Sequence, residues 1–229
     1  MPQNQKNAVI LFGPPGAGKT TQANYISAAF GLAHIDSGRL IERTVHDPAL
    51  ENDPAITRER NLFDSGILNT PEWVADLILS EIRKIHATGS GIVFSGSPRT
   101  LYEGRTLVPI LAALYGPENL LFIKIAISGE TSLFRNTHRL ICEKCGRIYQ
   151  SFAGNPAPER CSCGGRIVPR ILDTEEAIKV RLDQYQNRTA PLFQFLSERG
   201  YVLNEIDGER APDVIAAELE KVIRAKFDA

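Results

Sequence analysis

Long apolar runs are missing from this chain. Nowhere in its 229 residues is there a stretch near the ~18 apolar residues that a membrane-spanning helix requires. The opening Met1-Pro2-Gln3-Asn4-Gln5-Lys6-Asn7 is polar and holds no signal-peptide core. A cytoplasmic protein with no membrane partner is expected. Net charge is nearly absent too: 26 Lys and Arg stand against 27 Asp and Glu, leaving −1. No general field draws such a chain to anionic lipid or nucleic acid, and neither is an expected partner. Any phosphate must be met by local positive charge. Cysteine is scarce, with four residues, all between positions 142 and 163. In a reducing compartment these are expected to be metal-bound or free rather than disulfide-paired. What remains is an ordinary globular composition, 43% hydrophobic and 23% charged. The length suits one large domain, or one domain with insertions, and a monomer is expected.

The feature around which the rest is arranged is Gly13-Pro14-Pro15-Gly16-Ala17-Gly18-Lys19-Thr20, directly after the apolar run Ala8-Val9-Ile10-Leu11-Phe12. It fits the pattern G-x-x-x-x-G-K-[ST] in full. A short buried strand runs into a glycine-rich loop, and a helix begins at about Lys19. The glycines leave no side chain between backbone N–H groups and an anion. The helix N-terminus adds partial positive charge, and Lys19 can reach terminal phosphates. The strand before the loop and the helix former Thr21-Gln22-Ala23-Asn24-Tyr25 after it supply context that a chance glycine turn lacks. Gly13 to Thr21 are therefore the expected nucleoside triphosphate site: Gly13, Pro14, Pro15, Gly16, Ala17, Gly18, Lys19, Thr20 and Thr21. Thr20 offers a hydroxyl to Mg²⁺.

Apolar runs without alternation mark strands at about 8–12, 33–35, 91–95, 120–127 and 201–206. Helical patterns separate them at about 19–30, 71–88, 100–114, 130–137, 173–198 and 211–227. The alternation predicts an α/β fold, a doubly wound parallel sheet of five strands with helices on both faces. Ligands of such sheets collect at the carboxyl ends of the strands. Two segments interrupt the pattern. Residues 36–69 carry short helical pieces and the turns Asp47-Pro48 and Asn52-Asp53-Pro54, before Thr70-Pro71 starts the next helix. Residues 139–172 hold all the cysteines and show little periodicity. Both look like insertions at the ligand end, where mobile lids sit. The expected division is a core at 1–35, 70–134 and 173–229, one insertion at 36–69 and another at 135–172.

Within the second insertion, Cys142-Glu143-Lys144-Cys145-Gly146 is one knuckle and Cys161-Ser162-Cys163-Gly164-Gly165 a tighter one, fifteen residues on. Four thiolates in two close pairs suit a closed tetrahedral zinc site. Such an ion would staple a segment with too few apolar residues to fold alone. No position is left open for catalysis, and His138 reads as a bystander. Arg147, Arg160, Arg166 and Arg170 make the segment locally basic, so a nucleic-acid-binding zinc ribbon is the competing reading. The near-neutral net charge argues against it.

These motifs, in this order, resemble the adenylate kinase family of nucleoside monophosphate kinases over nearly the whole chain. The likeness is carried by Gly13–Thr21; Ile35-Asp36-Ser37-Gly38; Gly66-Ile67-Leu68-Asn69-Thr70-Pro71; Gly96-Ser97-Pro98-Arg99-Thr100; Arg135 and Arg139; Cys142–Tyr149; and Arg170 with Arg181. Ala190-Pro191-Leu192 and Glu205-Ile206-Asp207-Gly208 add to it. The resemblance implies reversible transfer of the γ-phosphoryl of ATP, with Mg²⁺, to a nucleoside monophosphate, AMP being the default. It implies that 36–69 binds the acceptor and that 135–172 is a zinc-bearing lid. Lys19, Arg99, Arg139, Arg170 and Arg181 would be the catalytic clamp, with Arg135 near the ATP base and Arg139 on its phosphates. Ser37, Arg39, Arg43, Asn69, Gly96, Arg99, Glu103, Arg170 and Arg181 would face the acceptor. Such a protein aligns the reactants, neutralises the transferring charge and excludes water.

The chain also departs from the family pattern. Thr20 stands where glycine is usual, and Ser95 where an aspartate orients water on Mg²⁺. Arg170-Ile171-Leu172-Asp173 has lost one acid of an Arg-x-Asp-Asp pattern. Glu42 replaces the arginine that grips the acceptor phosphate, leaving Arg39 and Arg43 as candidate substitutes. Glu103 replaces the glutamine that reads adenine. A carboxylate only accepts, which matches guanine's paired N–H donors or one contact to the amino group of adenine or cytosine. Equally, Glu103 is a first-turn acid favourable to the helix dipole. GMP or a pyrimidine monophosphate is thus the alternative acceptor. An ATP-binding protein with a decayed acceptor site is the alternative to an enzyme. Asp173 reads either as a helix cap, with Glu176 reaching back, or as a partner of the lid arginines.

Overall fold

A strand without a polar residue is at home only where both its faces are covered. The structure, a computed structural model, describes residues 6–151, 154, 156–170 and 173–228. Met1–Gln5 of the polar start and Leu172, where the acid is lost, lie outside these. Along the chain come β1 (Ala8–Phe12), α1 (Lys19–Phe30), β2 (Ala33–Asp36), α2 (Ser37–Val45), α3 (Pro54–Asp64), α4 (Pro71–Ala87), β3 (Ile92–Ser95), α5 (Leu101–Tyr115), β4 (Leu120–Ala126) and α6 (Gly129–Thr137). Then follow β5 (Arg139–Cys142), β6 (Ile148–Gln150), β7 (Ile167–Pro169), α7 (Glu175–Gln184), α8 (Pro191–Glu198), β8 (Leu203–Asp207) and α9 (Pro212–Phe227).

Five strands form one parallel sheet in the order β2-β3-β1-β4-β8. The wholly apolar β1 is its centre. Ala8, Ile10 and Phe12 point to one face, where α4, α5 and α8 bring Ile78, Leu107 and Phe195. Val9 and Leu11 point to the other, against Ile26 of α1 and Leu219 of α9. Each of these side chains larger than alanine contributes about 1.5–3 kcal/mol on burial. Chain order changes direction at β1, so the loop after it opens at the switch point of the sheet, at the carboxyl ends of the strands.

The five expected strands and the flanking helices are present. Two expectations need correction. The helix expected over 173–198 is broken: α7 ends at Gln184, a π-helical turn spans Tyr185–Thr189, and α8 starts at Pro191. Proline has no N–H and its ring crowds the preceding turn, so the chain widens, with Ala190 N–H reaching Tyr185 O at 2.9 Å. The stretch 139–172, which shows little periodicity, carries a three-stranded antiparallel sheet, β6-β5-β7. Strands of three or four residues are too short to display alternation.

Helices α5 and α8 meet so closely at Gly104 that a Cβ there would overlap Leu192, itself fully buried. Gly104→Val is expected to cost about 1–3 kcal/mol of stability. The measurement is the urea midpoint at constant m-value, and an unchanged midpoint would show that α8 yields freely.

Candidate active site

Three glycines make the loop after β1 possible. Gly13, Gly16 and Gly18 have φ of 150°, 78° and 87°. A Cβ on Gly13 would meet Ile125 O at 2.5 Å, and one on Gly16 would meet Asn136 Nδ2 at 2.6 Å. The loop is thus wedged against the end of β4 and against α6, which also holds it through Ser132 Oγ donating to Pro15 O at 2.6 Å. Gly18 caps α1 without any side-chain bond, which leaves the first-turn N–H groups to an anion. Lys19 Nζ bends back to donate to Gly13 O at 2.6 Å and Pro14 O at 2.7 Å. Thr20 Oγ1 donates to Asp36 Oδ2 at 3.1 Å.

Two clefts, one larger than the other, open at this end of the sheet. The larger runs over Pro15, Gly16, Gly18 and Thr20 towards Arg135 and Arg139. The other lies between Phe63 and the Gly66–Asn69 segment on one side and Pro98, Gln184 and Tyr185 on the other. They share a wall that includes Lys19, Gly96, Arg99, Arg170 and Arg181. The Gly66–Asn69 segment is anchored by buried Glu59, which accepts from Asn69 Nδ2 at 3.0 Å and from Thr70 N at 2.8 Å.

Asp173 lies between two of the cations. Arg139 grips it with two bonds of 2.6 Å and Arg181 donates to it at 3.1 Å, and its side chain is 4% exposed. This decides between the two readings of Asp173. It partners the arginines, while Thr174 caps α7 by accepting from Ala177 N at 3.2 Å. Glu42 faces Arg170, with both carboxylate oxygens at 3.5 Å. Arg135 donates to Gly16 O at 3.5 Å and Glu209 O at 3.4 Å.

Burial, together with Arg99, Arg181 and Arg139, pushes the Lys19 ammonium down to about 7. Burial and the neighbouring Arg139 and Arg170 bring Arg181 down to about 9. Arg99 is lowered as well, chiefly by burial. The site is a pocket of buried positive charge short of counter-charge.

The four cysteine sulfurs lie within 4.8 Å of one another, and none is disulfide-bonded. Cys142 and Cys163 are 3.5 Å apart, as are Cys145 and Cys161, too long for an S–S bond. A Cβ on Gly165 would sit 2.6 Å from Cys142 Sγ, so glycine is what lets the second knuckle close on the first. The Cys163 backbone N–H and the Tyr149 hydroxyl hold the Cys161 thiol at about 5. Four soft donors in a closed cluster fit a structural zinc ion.

The sequence model of the adenylate kinase family matches residues 11–201. The chain is 32% identical to the adenylate kinase of Pelobacter propionicus over 94% of this chain and 96% of that one. It is 32% identical to that of Methanosarcina acetivorans over 96% and 99% of the two chains. For the adenylate kinase of Symbiobacterium thermophilum the figures are 33%, 95% and 98%. The chain belongs to the adenylate kinase family. It is a phosphotransferase, a nucleoside monophosphate kinase.

Not every expected residue of this kinase reaches a cleft. Glu103 is 2% exposed and turned under the preceding loop. It accepts from Ser97 Oγ at 2.7 Å, Arg99 N at 2.9 Å and Thr100 Oγ1 at 3.0 Å. Its carboxylate binds its own loop and lines neither cleft, whereas the sequence reading has it facing the acceptor. Arg43 is exposed on α2 and also lines neither cleft. Ser37 is fully buried, its Oγ donating to Ser95 O at 3.3 Å. Arg39 lines the larger cleft only, with Nη2 donating to Cys145 O at 3.4 Å.

Sequence reasoning missed Gln184 and Tyr185, whose Oε1 and hydroxyl are buried in the wall of the smaller cleft without a hydrogen-bond partner among the described residues. They sit at the junction of α7 and the π-helical turn, and no pattern announces it. It also passed over Asp36 as a chemical group, although the residue ends β2 at the start of the insertion expected at the ligand end.

The lowered Lys19 makes binding of a polyanion proton-linked. The folded chain releases this proton near pH 7, whereas the unfolded chain keeps it to about 10.5, so unliganded stability rises with pH between those values. A bound triphosphate draws the pKa back up. ATP binding at pH 8 is therefore expected to take up close to one proton, and at pH 6 little. Calorimetry in buffers of different ionisation enthalpy measures the uptake. Zero uptake at pH 8, or the same uptake in Lys19→Met, would refute the assignment.

Proposed function

We propose that the chain moves the γ-phosphoryl of ATP reversibly to AMP, ATP + AMP giving two ADP, with Mg²⁺ accompanying the ATP. The observation that carries this is the shared wall: two clefts separated by Lys19, Arg99, Arg170 and Arg181. A triphosphate laid on Gly13–Thr21 points its end into that wall from one side, and a monophosphate reaches it from the other. The cations offset charge that spreads over the transferring group, and their fixed positions align the reacting oxygens. Asp173 tethers Arg139 and Arg181 in that alignment. In this reading Arg135 and Arg139 serve the ATP, and Asn69, Gly96, Arg99, Arg170 and Arg181 serve the acceptor.

Residues 36–69 are the acceptor insertion and 135–172 the lid, closing over the site to exclude water. Cys142, Cys145, Cys161 and Cys163 hold a structural zinc, and Thr20 is a ligand to Mg²⁺. The enzyme works as a cytoplasmic monomer, without nucleic acid or membrane; among the described residues no helix is long and apolar enough to cross one. AMP is the acceptor because the similar curated proteins are named adenylate kinases. With Glu103 committed to its own loop, that residue no longer argues for guanine.

One observation favours a second reading, an ATP-binding protein with a lost acceptor site. The Glu42 carboxylate sits on Arg170, where an acceptor phosphate would compete with it. An acceptor panel separates the two. With Mg²⁺-ATP and AMP, GMP, CMP, UMP or dTMP, diphosphate formation is expected to be fastest with AMP and well above ATP hydrolysis. Preference for another base overturns AMP alone, and binding of ATP without any phosphorylation overturns the kinase reading.

For the metal, one zinc per chain is expected by elemental analysis, released as the four thiols are blocked, with a fall in melting temperature. A metal-free protein with the same melting temperature and freely reactive thiols would sink this part.

A further inference from the structure

Thr20 and Asp36 come from different elements and meet at the floor of the P-loop cleft, which both line. Thr20 Oγ1 donates its proton to Asp36 Oδ2 at 3.1 Å. A hydroxyl whose proton is given to a carboxylate keeps its lone pairs free and more negative, the state in which it ligates a hard cation. The other oxygen, Asp36 Oδ1, accepts from Arg39 N at 3.1 Å, which fixes the side chain at the start of α2. Asp36 is therefore held in one orientation beside the Thr20 hydroxyl, in the lining of the larger cleft.

Its neighbour across the sheet makes the point sharper. Ser95 is the register partner of Asp36, so the two side chains leave the sheet on one face and at one level. Ser95 Oγ is engaged by His34 Nε2 at 2.7 Å and carries no charge. Among the described residues lining this cleft the carboxylates are Asp36 and Glu42, and Glu42 faces Arg170. Asp36 alone stands beside the Thr20 hydroxyl.

We infer that Asp36 is the positioning residue for the Mg²⁺ that accompanies ATP in this chain: it orients the Thr20 hydroxyl and supplies the negative charge beside it, from β2 rather than from β3. The inference rests on the phosphotransfer reading above. Asn at position 36 still accepts from Arg39 N, so Asp36→Asn removes the charge while keeping the helix cap.

The test uses the full chain and titrates ATP calorimetrically with excess Mg²⁺ and again with EDTA, taking the ratio of the two dissociation constants. D36N is expected to reduce the benefit of Mg²⁺ about tenfold, with ATP affinity in EDTA unchanged or tighter. Placing a carboxylate on the register partner, D36N with S95D, is expected to restore it. Thr20→Val, isosteric but without the hydroxyl, lowers the same ratio, and adding D36N to it changes little because the two act as one unit. An unchanged ratio in D36N overturns the proposal, as does an equal loss with and without Mg²⁺ or additivity with Thr20→Val. Phosphotransfer that persists alongside an unchanged ratio removes this proposal only, whereas a wild-type chain that binds no ATP removes the kinase reading with it.

Discussion

Buried positive charge without enough counter-charge is the constraint on which the structure turns. Lys19, Arg99 and Arg181 are drawn out of water beside Arg139 and Arg170, and burial lowers the affinity of the first three for their protons. Asp173 and Glu42 meet part of that charge. An isolated buried ion is costly and a paired one much less so, so the free enzyme holds a site whose energy falls when phosphates arrive. On the proposed reading, these same cations offset the charge that develops during transfer.

The fold serves this constraint. A parallel sheet covered on both faces releases all its strand ends at one edge, and helices α1 and α2 start there with their N–H groups directed outward. β1 carries the glycine loop, β3 leads into the Gly96–Arg99 loop, and β2 ends at Asp36, so three neighbouring strands deliver three chemically different parts to one place. The cysteine cluster lies outside this logic. It organises a segment whose three short strands bury few side chains fully, and Asp173, just beyond that segment, joins Arg139 to Arg181.

Much of this was legible in the order of the residues. The unbroken apolar run of β1, the glycines after it and the spacing of the two cysteine knuckles each dictate a local structure with little help from elsewhere. Period and proline position located the helices up to the point where Pro191 forces a π-helical turn. Glu103 has the chemistry of a base reader, but the bonds it accepts from Ser97, Arg99 and Thr100 follow from the fold of the loop, which no periodicity announces. Arg43 stands next to Glu42, and adjacent helix positions point in directions ~100° apart, so closeness in sequence to Glu42 does not bring Arg43 to the cleft that Glu42 lines.

The order of residues alone dictates the strand–loop–helix that can hold a phosphate chain, the alternation that builds the sheet, and the four-thiolate donor set. Each depends on contacts within one or two elements, where spacing is geometry. Folding alone chooses which polar groups meet: Asp173 with Arg139 and Arg181, Glu42 with Arg170, and the Asp36 carboxylate with the Thr20 hydroxyl. Those partners lie 8 to 128 residues apart, and an ion pair carries no periodicity. Electrostatic partners are chosen by distance and burial, and both exist only once the chain has folded.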